Sequence, residues 1–179
     1  PVTTHLVEKI MAEHEVGIMG GYLYMGQSYE QLGAGHYLLA KLMWDKDVDA
    51  RKLECRYYDA LYGLAGPDVL AYYHLLEERL RKMYLEDVDV DEPAVIQLLE
   101  RQWSGGSPAR ILAAYWPILD EATGLIRRAQ SRQLTELEEK RLTRLVDHHE
   151  YLVATARGMI AAASCTRFSP RYFQLIQRH

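Results

Sequence analysis

The chain has 179 residues and a formal net charge of −4, from 21 basic and 25 acidic side chains, and 49% of its residues are apolar. That length suits one domain or a domain-sized piece of a larger one, with enough chain to bury a core. The balance of apolar and charged residues excludes intrinsic disorder. No basic block offers a nucleic-acid footprint, and no apolar stretch is long enough to span a bilayer, so neither nucleic acid nor membrane is expected as a partner.

The first element expected is a helix over residues 4–14, with Leu6, Ile10 and Met11 at helical spacing. Val16 to Gly26 follows as the one strand-like run, apolar, glycine-rich and bounded by polar residues. A strand apolar on both faces belongs in a buried parallel sheet. No second strand candidate exists, so its backbone groups need partners from elsewhere. Gln31 to Trp44 reads as a helix. Asp49 caps the next one, with Leu53, Tyr57, Ala60 and Leu61 on one face and Gly63 at its end. Pro67 opens a helix that turns Leu70, Tyr73, Leu76, Leu80 and Met83 inward.

Residues 86–91 read as an acidic loop, 91–103 as a shorter helix and 104–108 as a linker. Helical spacing resumes from Ala109 to Gln130, with a break at Pro117. Thr135 and Glu138 have capping-box spacing and start the longest helix, about residues 136–163. Its inward stripe is Leu142, Leu145, His149, Leu152, Ala156 and Met159. Ser169-Pro170 opens a short last helix.

Catalytic motifs are scarce. A di-iron helical bundle needs Glu-x-x-His units, and the chain has none. His148 and His149 are adjacent, so on a helix they point about 100° apart and do not converge on a metal; His149 is expected in the core and His148 in solvent. His74 and Glu77 share a helix face and read as a surface hydrogen bond. The glycines at 17, 20, 21 and 26 match no phosphate-loop or dinucleotide spacing. Cys55 and Cys165 fit neither a zinc pattern nor a disulfide framework and assign no redox compartment. No cofactor or metal is expected. The N-terminus lacks a signal-peptide pattern, and Pro1 reads equally as an internal cut point or as the residue behind a removed initiator Met.

Side chains alternate along a strand, so Tyr22 and Tyr24 share one side of the apolar run. If the run belongs to a (β/α)₈ barrel, Tyr24, Gln27 and either Tyr29 or Glu30 lie at or beyond the substrate end of the strand. Tyrosine rings there stack on a sugar and Gln27 hydrogen-bonds its hydroxyls; the plainer reading is that Tyr22 and Tyr24 fill the barrel interior.

The element Tyr37-Leu38-Leu39-Ala40-Lys41-Leu42-Met43-Trp44-Asp45 resembles one found in a family of large bacterial proteins carrying the domain of unknown function 4838, a family related to family 20 hexosaminidases and α-glucuronidases. Val48-Asp49-Ala50 through Tyr57-Tyr58-Asp59-Ala60-Leu61-Tyr62-Gly63 resembles the next helix of that family, and Ala65-Gly66-Pro67 through Tyr72-Tyr73 the one after. Residues 58–63 are less regular than the family pattern. The long helix with Arg141, Leu145, His149, Tyr151 and Leu152 is a looser likeness.

The resemblance implies a mainly α chain in two parts. Residues 1–46 would be the end of the barrel (helix 7, strand 8, helix 8), and residues 47–179 a C-terminal helical domain. It implies glycosidic-bond hydrolysis by a carboxylate pair supplied by earlier strands, which this chain lacks, so no catalytic residue is assigned. Tyr22, Tyr24, Gln27 and Tyr29 are then candidate substrate contacts. The partner is the remainder of the barrel polypeptide or a second copy. A secreted or periplasmic parent is compatible with this. The competing class is a non-catalytic helical interaction or scaffold domain, which would be a well-behaved monomer or symmetric dimer, whereas an incomplete barrel exposes strand edges.

Overall fold

A computed structural model describes residues 3–18, 29–85 and 115–165, and among these every regular element is helical. In chain order they are α1 (Thr3–Glu15), α2 (Tyr29–Trp44), α3 (Ala50–Tyr62), a 3₁₀ turn (Gly63–Ala65), α4 (Gly66–Leu85), a second 3₁₀ turn (Trp116–Ile118), α5 (Leu119–Gln130) and α6 (Glu136–Cys165).

The ends of these helices are set locally. Behind α1, the Ile18 N–H donates to the Glu13 carbonyl and the Gly17 N–H to the His14 carbonyl, with Gly17 at φ 82°. This is a left-handed glycine closure of a helix C-terminus. Val16, Gly17 and Ile18, expected to begin the strand-like run, therefore form the turn that closes α1. The rest of that run lies outside the described residues. Asp49 caps α3, its carboxylate accepting from the Lys52 N–H at 3.0 Å. Pro117 falls within the 3₁₀ turn at Trp116–Ile118, so regular α-helix resumes only at Leu119, as the break expected there requires.

The capping box ahead of α6 is formed. The Thr135 N–H donates to the Glu138 carboxylate at 2.8 Å, and the Glu138 N–H to the Thr135 hydroxyl at 3.4 Å. These hydrogen bonds lower the Glu138 pKa from its ordinary value. Thr135→Ala is expected to lower stability by about 0.5–2 kcal/mol, read as a reduced urea midpoint with an unchanged m-value.

Helix directions follow from which residues meet. Gly35 of α2 lets Leu6 of α1 lie so close that a Cβ at position 35 would stand 2.9 Å from its Cδ1. Eight residues on, His14 Nε2 is 3.2 Å from the Leu42 carbonyl oxygen. The contacts advance together, so α1 and α2 run parallel. The same holds for α1 on α4, where the Thr4 N–H reaches the Glu77 carboxylate at 2.6 Å and Glu8 pairs with Arg81 at 3.5 Å. The α3–α4 pair is an antiparallel hairpin, with Glu54 beside His74 and Tyr58 beside Tyr73. Arg128 of α5 and Arg132 just beyond its end grip Asp68 at the start of α4, and Thr123 meets His149, so α5 runs against both α4 and α6.

This leaves α4 in contact with α1, α3, α5 and α6, and its buried face is correspondingly wide: Val69, Tyr72, Tyr73, Leu76 and the carboxyl-bearing Asp68 and Glu77. The expected face was right for Tyr73 and Leu76. Leu70 and Leu80 are half-buried, and the Met83 side chain lies outside the described residues. On α3 the buried row is Leu53, Glu54, Tyr58 and Tyr62, while Tyr57 and Leu61 are half-buried and Ala60 is exposed, a rotation from the expected face. On α6 the stripe holds as far as Ala156, with Leu142, Leu145, His149 and Ala156 buried, Leu152 half-buried and His148 exposed, while the Met159 side chain lies outside the described residues. Among the described residues no helix is long and apolar enough to cross a membrane.

Candidate functional site

The chemistry-bearing side chains gather around one turn of α4. Tyr73 and His74 both meet α3, whereas Tyr72 meets α6. The Tyr73 ring packs on Tyr58 of α3 with centroids 5.5 Å apart. Tyr58 also stacks on Tyr62 at 6.4 Å and meets Tyr57 edge-on at 5.3 Å, so a tyrosine cluster forms the α3–α4 seam. Burial pushes the Tyr58 and Tyr72 phenols well above the ordinary tyrosine range, so both stay neutral throughout the accessible pH range.

His74 carries the first polar cluster. Its Nε2 lies 3.0 Å from Oε2 of Glu54, a carboxylate only 10% exposed. The Glu54 hydrogen bond, helped by the charges of Glu54 and Glu77, raises the His74 pKa against the opposing effects of burial and Arg51. One turn along, Glu77 is buried and accepts the free N–H at the start of α1. An anionic side chain at a helix N-terminus satisfies an orphan donor and meets the positive end of the helix dipole. The cluster therefore pins α1 and α3 to α4. Both residues of the expected surface pair thus have partners on other helices, Glu54 for His74 and the Thr4 N–H for Glu77.

His149 carries the second. It is 3% exposed, and its Nε2 lies 2.9 Å from the Thr123 hydroxyl. Thr123 donates its own proton to the Leu119 carbonyl at 2.7 Å, so it can only accept from the imidazole. That fixes the Nε2–H tautomer and leaves Nδ1 as a buried atom without a hydrogen-bond partner. The Tyr72 ring meets the imidazole edge-on at 5.5 Å. Burial pushes the His149 pKa down, with Glu150 partly opposing.

A carboxylate fixing an imidazole can orient a general base. Metal chemistry has no counterpart among the described residues, where no group of three or more His, Cys, Asp or Glu could hold an ion. Of the sequence-predicted substrate contacts, Tyr22, Tyr24 and Gln27 lie outside the described residues. Tyr29 is the first residue of α2, and its side chain also lies outside them. Glu54 escaped the sequence reading. The signal was there: Glu54, Tyr58 and Tyr62 are four apart and so lie on one helical row. No family model, no curated protein and no solved structure matches the chain.

Proposed function

We propose that the chain is the closing segment of a (β/α)₈-barrel, glycoside hydrolase-like protein, in which it completes the barrel and contributes substrate contacts while the catalytic acid pair comes from other polypeptide. In this reading α1 and α2 are the seventh and eighth barrel helices, and the strand between them falls within residues 19–26, beyond the turn that closes α1. Tyr22, Tyr24, Gln27 and Tyr29 line the substrate end, and α3 to α6 form the helical domain behind.

The observation that supports it is the shared direction of α1 and α2. Neighbouring helices in a bundle are joined by short loops and run antiparallel, as α3–α4 and α5–α6 do. Neighbouring helices around a parallel sheet run the same way, because the chain returns through a strand between them. Residues 16–28 join α1 to α2, and a return along helices of this size covers about 20 Å at 1.5 Å per helical residue. About six extended residues at about 3.3 Å each suffice for that distance. A helical bundle gives such a pair only through a long crossover connection.

The test is made on the polypeptide that supplies the other strands. Backbone chemical shifts over residues 19–26 should be those of a strand, with cross-strand contacts to residues outside this chain. Tyr24→Ala should weaken oligosaccharide binding by about tenfold at most, the size of a lost ring-stacking contact. Helical shifts across 19–26, or sugar binding indifferent to both Tyr24→Ala and Gln27→Ala, would overturn the reading in favour of a helical interaction domain.

A further inference from the structure

We propose that the helical domain contains an acid-operated joint, in which protonation of His149 in mild acid loosens the α5–α6 hairpin from α4 while His74 keeps α3 clamped to α4. The inference is independent of the barrel reading. It rests on two imidazoles placed within one helical turn of α4 contact, in opposite electrostatic surroundings.

The His149 side is built for a neutral ring. A proton added there goes to Nδ1, which is buried and has no acceptor. The groups around it give little help. α4 presents the edge of neutral Tyr72. Asp68, one turn earlier on α4, is already engaged by Arg128 of α5 and by Arg132 just beyond it. α5 presents the Thr123 hydroxyl, whose charged neighbours Asp120, Glu121 and Arg127 are exposed. On α6 itself, Glu150 is exposed and is the one charge that favours the imidazolium. A charged ring is therefore better accommodated when the three helices part and water reaches Nδ1.

The His74 side is built for a charged ring. Glu54 of α3 binds it directly, Glu77 of α4 adds a second negative charge, and Arg51 of α3 alone opposes. α1 faces this cluster through the Thr4 N–H that Glu77 accepts.

The signs follow. A histidine whose folded pKa is depressed destabilises its contact as pH falls below the unfolded value of 6.5. The open population then rises about tenfold per pH unit until the folded pKa is reached. A histidine whose folded pKa is raised keeps its full contribution below 6.5 and loses it as pH rises through the folded value. One step of acidification thus weakens one seam of α4 and spares the other, which uniform acid denaturation does not do.

Amide exchange on the whole chain at about pH 7.5 and about pH 5.5, corrected for the intrinsic pH dependence of exchange, reads both seams. Amides of α5 and α6 should lose up to about tenfold protection at the lower pH, while those of α3 hold theirs. His149→Gln keeps a side-chain donor but cannot be protonated, and should abolish the loss. His74→Gln should leave the α5–α6 loss intact and remove the α3 advantage in acid. Equal loss across all helices, or loss persisting in His149→Gln, overturns the proposal. If that variant does not fold, ring titration in the unaltered chain decides. A His149 imidazole that titrates at or above 6.5 in the folded protein, or takes up its proton without α5–α6 exchange changing, also overturns it.

Discussion

Tyr58→Ala is expected to lower the unfolding free energy by about 3–5 kcal/mol, the range for deleting a buried aromatic ring. Tyr58 is 3% exposed and touches Tyr57, Tyr62 and Tyr73, so its loss empties the centre of the α3–α4 seam. In a chain of this size each kcal/mol shifts Tm by about 2–4 °C, so the melting point should fall by roughly 6–20 °C. Tyr58→Phe separates the ring from its hydroxyl and should retain most of the stability, since the ring supplies the packing. A melting point unchanged in Tyr58→Ala would mean that the seam is not where the domain is held together.

Gly66→Ala is expected to be strongly destabilising for a single added methyl. A Cβ at position 66 would stand 2.9 Å from the Asp59 backbone nitrogen and 3.0 Å from its Cα. Backbone cannot swing aside as a side chain can, so α3 and α4 must separate where the hairpin turns. Overpacking of this kind costs about 1–3 kcal/mol and occasionally more. Gly35→Ala is the control. Its Cβ would meet only Leu6 Cδ1 at 2.9 Å, the far end of a flexible side chain, and the variant should melt close to the parent. Denaturant midpoints of the two variants measured side by side check the ranking, and a Gly35→Ala loss equal to that of Gly66→Ala would refute it.

The helices themselves were legible wherever the cue was local. The Asp49 cap, the Thr135–Glu138 box, the Pro117 break and the Gly63 stop are each decided within four residues, and each appears as expected. His149 in the core was legible too, from its place on the α6 stripe. What failed depended on partners distant in sequence. The α3 face was misjudged because Glu54 looks like a solvent residue until His74, twenty positions later, arrives to bind it. The α4 face was drawn too narrow because nothing local to α4 reveals that four helices touch it. Glu77 was given a neighbour three residues away, and nothing local shows that it also accepts from the first turn of α1, 73 positions earlier. The start of the strand-like run was misplaced because Val16 and Ile18 are β-branched, yet the glycine between them takes a positive φ and ends a helix. The four expected sugar contacts rest on the resemblance, since Tyr22, Tyr24, Gln27 and the Tyr29 side chain lie outside the described residues.

The co-directional pair at the N-terminal side constrains how this chain can be shortened. Two helices pointing the same way cannot be bridged by a tight reverse loop. Trimming the linker between Glu15 and Tyr29 to four or five residues would leave it too short to travel back along a helix. The second helix would then have to turn end for end, presenting Tyr37 and Leu42 to the wrong neighbours, so tolerance of that deletion is itself a measure of chain direction.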